Sequence, residues 1–339
     1  MSAQLQMLAR GMRHYDMARP EQIDLSVVVC THNPRADFLA RTLGALAHQR
    51  SLPAGRKTEF ILVDNDSSEP IDKGIVPGAI GNARVVREER LGLTHARLRS
   101  FAEARGDVIL FVDDDNVLCP DYFCTVVAAF AADPELGAVG GKALPCFENP
   151  PPAWFPRTGI DLACRDLGEA PQSARWSDSA APRSYPICAP IGAGMAIRRE
   201  AYAAYVAGAS NNNARLALGR KGADLSSGED NDMILTLLAG GWRVAYLPQL
   251  SLNHLIPARR VTEDYLATYA FSSNRTWVQV LALHGICPWP PIARWTIALR
   301  AARAWWRQKP WRGPVERIAW QAARGNLEGR ATLRTILPR

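Results

Sequence analysis

The sequence lacks the features of a membrane-spanning or secreted protein. No apolar run approaches the roughly 18 residues that cross a bilayer, and the opening residues, MSAQLQMLARGMRHYD, lack the apolar core of a secretory signal. The seven cysteines are odd in number and form no CxxC pair, which predicts small core side chains in a reducing compartment rather than disulfides. No internal repeat is visible. We therefore expect a globular, cytoplasmic protein.

Acidic residues are scarce in one part of the chain, its C-terminal end. The 339 residues carry a net charge of +7. Residues 289–339 contain eleven Lys or Arg and two Glu, so the preceding 288 residues carry about −2. The basic character therefore belongs to the C-terminal segment, and the rest of the chain has the balance of an ordinary globular protein.

The first half of the chain does contain a regular alternation of strand-like and helix-like segments. Short apolar runs bounded by turn residues predict buried strands, and apolar residues at helical spacing predict helices. The predicted strands are 25–30, 59–64, 83–88 and 108–112, and the predicted helices are 36–48, 93–104 and 121–132. This order is typical of an α/β fold with a mostly parallel central sheet flanked by helices.

The remainder of the chain is less regular. Residues 1–24 form a polar lead-in with a short helix near 5–12, and the Pro- and Ser-rich stretch 143–186 predicts loops that cover the sheet where an acceptor docks. Regular structure then resumes with a strand entering a helix at 192–202, a helix at 230–239 and a strand at 242–248.

Three adjacent carboxylates follow the fourth predicted strand. Asp113, Asp114 and Asp115 come directly after its apolar run, and open α/β sheets bind ligands at such carboxyl ends. The three would repel one another unless a cation lay among them, and oxygen ligands of this kind suit Mg²⁺ or Mn²⁺ holding substrate phosphates. The alternative is an ordinary acidic turn before a helix that begins near Asp121.

A series of short motifs accompanies these carboxylates over residues 25–269. In chain order they read CTHNP, VDNDSS, GLTHAR, DDD, GAGMAIRRE, GEDND and YLPQLSLNHLIPARR. With them the chain resembles the family-2 inverting glycosyltransferases of the GT-A fold, a Rossmann-like α/β fold. The resemblance implies an enzyme that transfers a sugar from a nucleoside-diphosphate sugar to a hydroxyl of a glycan or lipid-linked acceptor, with Mn²⁺ or Mg²⁺ as cofactor.

The acidic triplet corresponds to the D-x-D motif of that family. The resemblance implies that Asp115 ligates the metal directly and that Asp113 assists through ribose or water contacts. We expect Asp114 to face partly away, since neighbouring strand residues alternate faces. His254 is implied as a further contact to the metal or the diphosphate, against the alternative of a structural histidine.

The donor nucleotide is implied to lie across the ends of the first strands. Thr31 and His32 match the end of the first strand, where the family contacts the base, and Asp64 and Asn65 match the pair that recognises nucleobase and ribose. Asn65 replaces the commoner Asp, which leaves UDP, dTDP and GDP open. Arg97 matches a family arginine and is expected to contact the donor or the acidic strand end.

The remaining implied roles belong to the diphosphate and the acceptor. Arg259 and Arg260 suit a diphosphate clamp because guanidinium binds phosphate bidentately, with one of the two expected to be only surface charge. Asp230 is implied as the base that deprotonates the acceptor, and Glu229 orients acceptor or base. The alternative is that these acids simply favour the start of a helix, which is also our reading of Asp232.

The basic C-terminal segment, 271–339, is predicted to be a helical extension of a catalytic domain spanning 25–270, with a nucleotide-binding half (25–141) and an acceptor half (142–270). On a helical wheel of 292–307, Trp295, Leu299, Ala302 and Trp306 share a stripe flanked by arginines. Such a face suits an anionic membrane surface. It could equally pack on the catalytic domain.

Two other classes of protein remain open on sequence alone. A sugar-phosphate nucleotidylyltransferase would need a Gly-rich N-terminal phosphate loop, and CTHNPR is not one. A non-catalytic basic protein bound to membrane or nucleic acid leaves DDDN, GEDND and HLIPARR unexplained. We expect no nucleic-acid partner, since no reading motif accompanies the charge.

Overall fold

The computed structural model describes residues 23–336, apart from positions 54, 179 and 223, with side chains up to residue 333. The short helix predicted near 5–12 lies outside the described residues. Nine strands form a single sheet: β1 Leu25–Thr31, β2 Thr58–Asp64, β3 Ala83–Arg87, β4 Val108–Asp113, β5 Asn116–Leu118, β6 Leu136–Phe147, β7 Gln172–Ala174, β8 Ala196–Arg198 and β9 Arg243–Ile256.

Nine α-helices accompany the sheet within the described residues. Short 3₁₀ turns, such as Arg294–Thr296, precede or join some of them. The helices are α1 Ala36–Ala47, α2 Leu93–Glu103, α3 Tyr122–Ala132, α4 Arg199–Ala209, α5 Asn213–Leu216, α6 Glu229–Ala239, α7 Glu263–Leu283, α8 Ile297–Gln308 and α9 Pro314–Ile336.

The sheet is mostly parallel, as the sequence predicts. Strands β3, β2, β1 and β4 lie side by side in parallel, and β8 joins β4 in the antiparallel sense. Beyond β8, strands β6 and β9 pair in parallel, and β5 and β7 pair antiparallel to β9. The chain leaves β1 toward β2 on one side and returns to β4 on the other. This is the switch point at which open α/β sheets bind ligands.

The strands of this sheet are apolar because both of its faces are covered. Along β1, Val27 and Val29 join a core cluster with helices α1 and α3, whereas Val28 points into a second cluster with α4 and α6. Strand residues alternate faces, so the central part of a strand buried on both sides is apolar at successive positions. This requirement explains why β1, β2 and β4 were recognisable as short uninterrupted runs.

Two long strands were only partly predicted. Strand β6 occupies Leu136–Phe147, partly inside the stretch that the sequence suggested was irregular. Strand β9 continues past Pro248 to Ile256, well beyond the predicted end at 248. A register shift where Gly140 pairs with Tyr246 and Lys142 with Ser251 absorbs the proline, because a bulge tolerates a residue that cannot donate to the ladder.

The C-terminal segment is helical, in agreement with the sequence. Helix α9 packs closely along α7 at two glycines one turn apart, Gly325 and Gly329. A Cβ at Gly325 would lie 2.0 Å from the carbonyl oxygen of Phe271, and one at Gly329 2.7 Å from that of Arg275. These glycines therefore allow the two helix backbones to approach. Within the described residues, no helix is both long enough and apolar enough to span a membrane.

The cysteines are free thiols. Cys188 is buried, Cys287 is exposed, and the other five are partly exposed. The expectation of unpaired cysteines is confirmed, whereas the expectation that they fill the core holds fully only for Cys188.

Candidate active site

A cavity of about 600 Å³ opens at the carboxyl ends of β1 and β4. The structure brings to its wall predicted residues from six separate parts of the sequence. Twelve of the thirteen site residues predicted from sequence line it: Thr31, His32, Asn65, Arg97, Asp113, Asp114, Asp115, Glu229, Asp230, His254, Arg259 and Arg260. The exception is Asp64.

The acidic triplet bends into a turn rather than continuing the strand. Asp113 ends β4, and Asp114 and Asp115 form a two-residue turn before β5. The prediction that Asp114 faces away was wrong, because strand alternation stops at residue 113. The hydroxyl of Thr31 donates a hydrogen bond to Asp114. Burial and the neighbouring Asp115 raise the pKa of Asp114 to about 7.

Asp115 lies in a cluster with His254 and Arg260. Its Oδ2 is 3.4 Å from His254 Nε2 and 3.0 Å from Arg260 Nη1. Burial opposes ionisation of Asp115, but the contact with His254 and the charge of Arg260 outweigh burial and lower its pKa to about 2. His254 lies within β9 and pairs with Asn116 of β5, so the strand ladder itself fixes this histidine beside the turn.

These side chains can supply part of a metal site. No group of three His, Cys, Asp or Glu residues within the described chain is arranged to enclose an ion. Asp115 and His254 supply a carboxylate oxygen and an imidazole nitrogen at adjacent positions. Mg²⁺ in phosphate-transfer sites is commonly held by one or two carboxylates, with waters and substrate phosphates completing its shell. The donor set therefore fits an ion that binds together with a diphosphate.

Asp64 and Asn65 shape the loop after β2. The carboxylate of Asp64 accepts hydrogen bonds from the backbone N–H groups of Ser67 (3.0 Å) and Ile71 (3.3 Å) and pairs with Arg87 at 2.7 Å. The Asn65 amide donates to two backbone carbonyls and accepts from Gly92 N–H at 2.8 Å. Both side chains thus form their hydrogen bonds within the protein, and their role in nucleotide recognition stays a prediction.

His32 stands at the exposed end of β1. Its Nδ1 lies 2.8 Å from the carbonyl oxygen of Asn65, which fixes the ring, and the ring remains exposed at the cavity. An imidazole held in this way can stack on a planar base.

Arg97 bridges the acidic turn and the start of α6. Its side chain is only 3% exposed, with Nη1 at 3.1 Å from Glu229 Oε1 and Nη2 at 4.0 Å from Asp113 Oδ1. This matches the second of its two expected roles, contact with the acidic strand end. Burial raises the pKa of Glu229 to about 7, although the charge of Arg97 opposes the shift. Glu229 is buried, so it acts on the cavity chiefly through Arg97.

Asp230 is the half-buried carboxylate at the first turn of α6. Its Oδ2 accepts a hydrogen bond from Gly192 N–H at 3.0 Å, and its Oδ1 accepts from Asn231 N–H at 2.8 Å. A Cβ on Gly192 would lie 2.8 Å from Arg97 Nη2 and 3.2 Å from Asp230 Oδ2. The GAGM segment therefore needs a glycine here so that backbone, arginine and carboxylate can meet.

Other residues of the cavity were not singled out from the sequence. Arg220, Asp161, Tyr265 and Tyr269 all line it. The two tyrosines are four residues apart on α7, shortly after the HLIPARR motif. This helical spacing was the one sequence pattern that could have indicated that they share a face. Arg220 and Asp161 come from irregular loops, which no periodic pattern marks.

Asp232 has a different role from the one predicted. It is fully buried, with Oδ1 at 2.6 Å from His284 Nε2 and 3.4 Å from Arg215 Nη1. It therefore ties α6 to the residue after α7 and to α5, rather than serving only as a helix-terminal acid. Asp66 has a left-handed backbone (φ 56°), a conformation that aspartate adopts in turns.

The mixed sheet with a cavity at its switch point is the architecture of the GT-A glycosyltransferases. The family model described as glycosyl transferase family 2 matches residues 26–205, which is more than half of the chain. The chain belongs to this family, and it is a glycosyltransferase. The match ends before Asp230 and His254, so the roles of these two residues rest on the geometry and on the motifs.

The chain is similar to two named relatives. It is 26% identical over 258 residues to the glucosyl-dolichyl phosphate glucuronosyltransferase of Haloferax volcanii, covering 73% of this chain and 74% of that protein. It is 24% identical over 240 residues to an N-acetylglucosaminyltransferase of Mesorhizobium japonicum, covering 69% of this chain and 51% of that protein.

A similar solved structure is that of GalNAc-T7 with UDP, GalNAc and Mn²⁺. It superposes with a TM-score of 0.51 at 17% identity, covering 84% of this chain and 51% of that one. The likeness confirms the fold. Together with the family match, it favours a glycosyltransferase over the nucleotidylyltransferase and the non-catalytic basic protein that the sequence left open.

Proposed function

We propose that this protein is a metal-dependent, inverting glycosyltransferase. The sugar is transferred from a UDP-, dTDP- or GDP-linked donor to a hydroxyl of a glycan or lipid-linked acceptor. One observation carries the proposal: the acidic turn, Asp230, Arg259 and Arg260 line a single cavity of about 600 Å³. Small-molecule sites typically measure about 300–1,000 Å³, so this volume suits a nucleotide sugar.

The donor diphosphate is held from two sides in this proposal. Asp115 and His254, with Asp113 nearby, are the residues that would hold Mn²⁺ or Mg²⁺. When bound, such an ion neutralises the charge that develops on the departing diphosphate. Arg259 and Arg260 bind phosphate oxygens bidentately. The fold of GalNAc-T7, which was solved with UDP and Mn²⁺, supports this assignment.

The nucleoside lies between β1 and β2. The fixed ring of His32 offers a stacking surface, and Thr31 sits beside it at the end of β1. Asn65 presents the loop that closes this side of the cavity. Asp64 supports the same loop through its bonds to the backbone of Ser67 and Ile71.

Asp230 is the general base. The acceptor oxygen forms a bond to the anomeric carbon while its proton passes to the Asp230 carboxylate. The bond between the anomeric carbon and the diphosphate oxygen breaks on the opposite face, and its electron pair leaves with the nucleoside diphosphate. Two backbone N–H groups hold the carboxylate in place. Glu229 and Arg97 form an ion pair beside it, and a Cβ on Gly192 would crowd both Arg97 and Asp230.

The domain division and location follow from the same proposal. Donor residues come mainly from 25–141 and the base from 142–270, although residue 141 lies inside β6 and both halves share one sheet.

The relative from Haloferax volcanii is named for a dolichyl phosphate-linked substrate, which supports a lipid-linked acceptor. We place the enzyme in the cytoplasm, peripheral to the inner face of a membrane.

The test is a transfer assay with UDP-, dTDP- and GDP-sugars, each with Mn²⁺ or with EDTA, read out as released nucleoside diphosphate. We expect release from one nucleotide class only, and only with metal. The anomeric configuration of the product, measured by NMR, tests the stereochemistry. A product that retains the donor configuration would exclude the single-displacement role of Asp230.

A further inference from the structure

Helix α8 is attached to the protein by one of its faces. Its residues Ile297 and Ala301 pack against Leu327 and Ala331 of α9, together with Ile292. The Trp320 indole N–H of α9 donates to the carbonyl oxygen of Ala301 at 3.4 Å. This face accounts for how the helix is held, but it uses only part of the apolar surface of α8.

A second apolar surface, formed by this helix and by the 3₁₀ turns on either side of it, points into solvent. Trp295, Leu299, Trp306 and Trp311, which we name the tryptophan face, are 84%, 74%, 68% and 52% exposed. They make up four of the seven large exposed apolar side chains in the described chain. The sequence stripe of residues 295, 299 and 306 therefore does not pack on the catalytic domain, and that alternative is wrong.

Trp306 and Trp311 of this face form an aromatic cluster with their neighbour Trp305. Ring centroids lie 4.4 Å apart for Trp305 and Trp311, 5.1 Å for Trp305 and Trp306, and 5.7 Å for Trp306 and Trp311. The cluster spans the end of α8 and the 3₁₀ turn Pro310–Arg312. Mutual contact limits the freedom of these rings, so the apolar surface that they present has little conformational entropy left to lose.

The surroundings of the tryptophan face are uniformly positive. Residues 289–315 contain six basic residues and no acidic one, and all six are exposed. Across the described chain, none of the six forms an ion pair with an acidic side chain. They are Arg294, Arg300, Arg303, Arg307, Lys309 and Arg312. This contrasts with Arg97 and Arg260 of the cavity, which pair with Glu229 and Asp115.

We propose that the tryptophan face binds the headgroup region of an anionic lipid bilayer, with α8 lying in the plane of the interface. Indole rings are amphipathic and prefer this depth, and neighbouring arginines attract anionic headgroups. Two copies of the protein would oppose six positive charges with six more, so charge disfavours a second copy as the occupant.

The attachment of α8 links the membrane to the cavity. Helix α9 packs on α7 through Gly325 and Gly329, and α7 carries Tyr265 and Tyr269 of the cavity wall. A bilayer bound at α8 would thus hold the cavity at a fixed position relative to the lipid. This consequence for a lipid-linked acceptor rests on the proposed function, whereas lipid binding by the face does not.

Vesicle flotation of the full chain tests the proposal. We expect binding to vesicles of phosphatidylcholine containing phosphatidylglycerol, and none to phosphatidylcholine alone. The triple variant Trp295→Ala, Leu299→Ala, Trp306→Ala should lose binding. Arg300→Glu, Arg303→Glu and Arg307→Glu should each weaken it about fivefold or more, because one basic residue near an anionic surface contributes about 1 kcal/mol.

Matched controls come from exposed residues elsewhere. Ile187→Ala removes an apolar side chain that is 78% exposed, and Lys73→Glu reverses an exposed charge in a short turn; both should bind vesicles like the unmodified protein. Binding that survives the triple variant would overturn the proposal. So would a dimer in lipid-free solution that the triple variant dissociates, which would assign the face to a second copy.

A nucleotide readout separates this proposal from the enzymatic one. The triple variant should bind nucleoside diphosphate with unchanged affinity, which also shows that it is folded. If no nucleotide binds to the unmodified protein, the proposed function fails while the flotation result stands.

Discussion

The cavity and helix α8 use arginine in opposite ways. Arg97 is 3% exposed and lies 3.1 Å from Glu229, and Arg260 lies 3.0 Å from Asp115. On α8, Arg300, Arg303 and Arg307 are exposed and have no acidic neighbour in a stretch of 27 residues, 289–315. Buried and paired arginines fix the positions of other groups, whereas exposed and unpaired ones attract charge over a Debye length of about 10 Å. The comparison predicts that changes in the cavity alter chemistry and stability, and that changes of the exposed arginines and of the tryptophan face alter neither.

The largest effect is expected for Asp230→Asn. The amide keeps the shape of the side chain but cannot accept the acceptor proton, so kcat should fall about 10²–10⁴-fold while donor affinity stays within experimental error. Steady-state kinetics and calorimetry measure the two quantities. Asp121→Asn, an exposed acid paired with Arg50 at 2.7 Å, is the matched control. Transfer at the normal rate by Asp230→Asn would remove this residue as the base.

Asp115→Ala should act on binding. Loss of the carboxylate removes a metal ligand and the partner of Arg260, so metal-dependent nucleotide affinity should fall by about 100-fold or more, at the upper end of what supporting residues of metal sites cost. Titration calorimetry in Mn²⁺ measures this affinity. Asp66→Ala, which removes an acid from the turn after β2, should have a small effect. Equal losses for the two variants would show that removal of any nearby acidic residue weakens binding, and that the position of Asp115 in the turn after β4 is not what matters.

Glu229→Gln should change the pH dependence of stability. The pKa of Glu229 rises from 4.5 to about 7 on burial, so between these values the folded protein keeps a proton that the unfolded chain releases. Stability contributed by the protonated form is therefore lost as pH rises through this window. Relative to the variant, the unmodified protein should lose roughly 1–3 kcal/mol across it.

Urea denaturation on both sides of that window measures the change. Glu169→Gln, whose side chain is 86% exposed, should show the same pH profile as the unmodified protein. A parallel profile for Glu229→Gln would mean that Glu229 is ionised throughout and that its pairing with Arg97 outweighs burial.

The smallest effect is expected on the tryptophan face. Trp295→Ala should change the free energy of unfolding by no more than about 0.5 kcal/mol, as for other surface substitutions. Trp277→Ala removes a ring packed on the core and at 5.3 Å from the Tyr185 ring, and should cost about 3–5 kcal/mol. A large loss for Trp295→Ala would indicate that its face is covered within the protein.

The sequence pattern predicted the strands that are buried on both faces. It did not predict strands whose conformation depends on pairing with an irregular strand. The central runs 27–30 of β1, 60–63 of β2 and 108–112 of β4 are apolar at every position, so no tertiary knowledge was needed. Strand β6 contains Gly140, Gly141 and Pro145. These residues are unfavourable in strands, so the sequence pattern did not predict a strand here. Its conformation depends on pairing with β9, where a register shift accommodates Pro248. Local propensity cannot show such a pairing.

The sequence could predict those residues of the candidate site that lie at strand ends or in motifs. The acidic triplet, Asp230 and His254 were found in this way. The orientation of Asp114, the burial of Asp232 and the commitment of Asp64 to its own loop were not, because each also involves a side-chain partner distant in sequence, Thr31 for Asp114 and Arg87 for Asp64. For Asp232 that partner is His284, 52 residues away.

The central claim is that a divalent cation and a nucleoside diphosphate bind together at the acidic turn. Titration calorimetry of the unmodified protein with UDP, dTDP and GDP, in Mn²⁺ and then in EDTA, tests it directly. We predict saturable binding of one nucleotide in Mn²⁺ and loss of that binding in EDTA. Equal affinity under both conditions, or no binding of any nucleotide, would contradict the account.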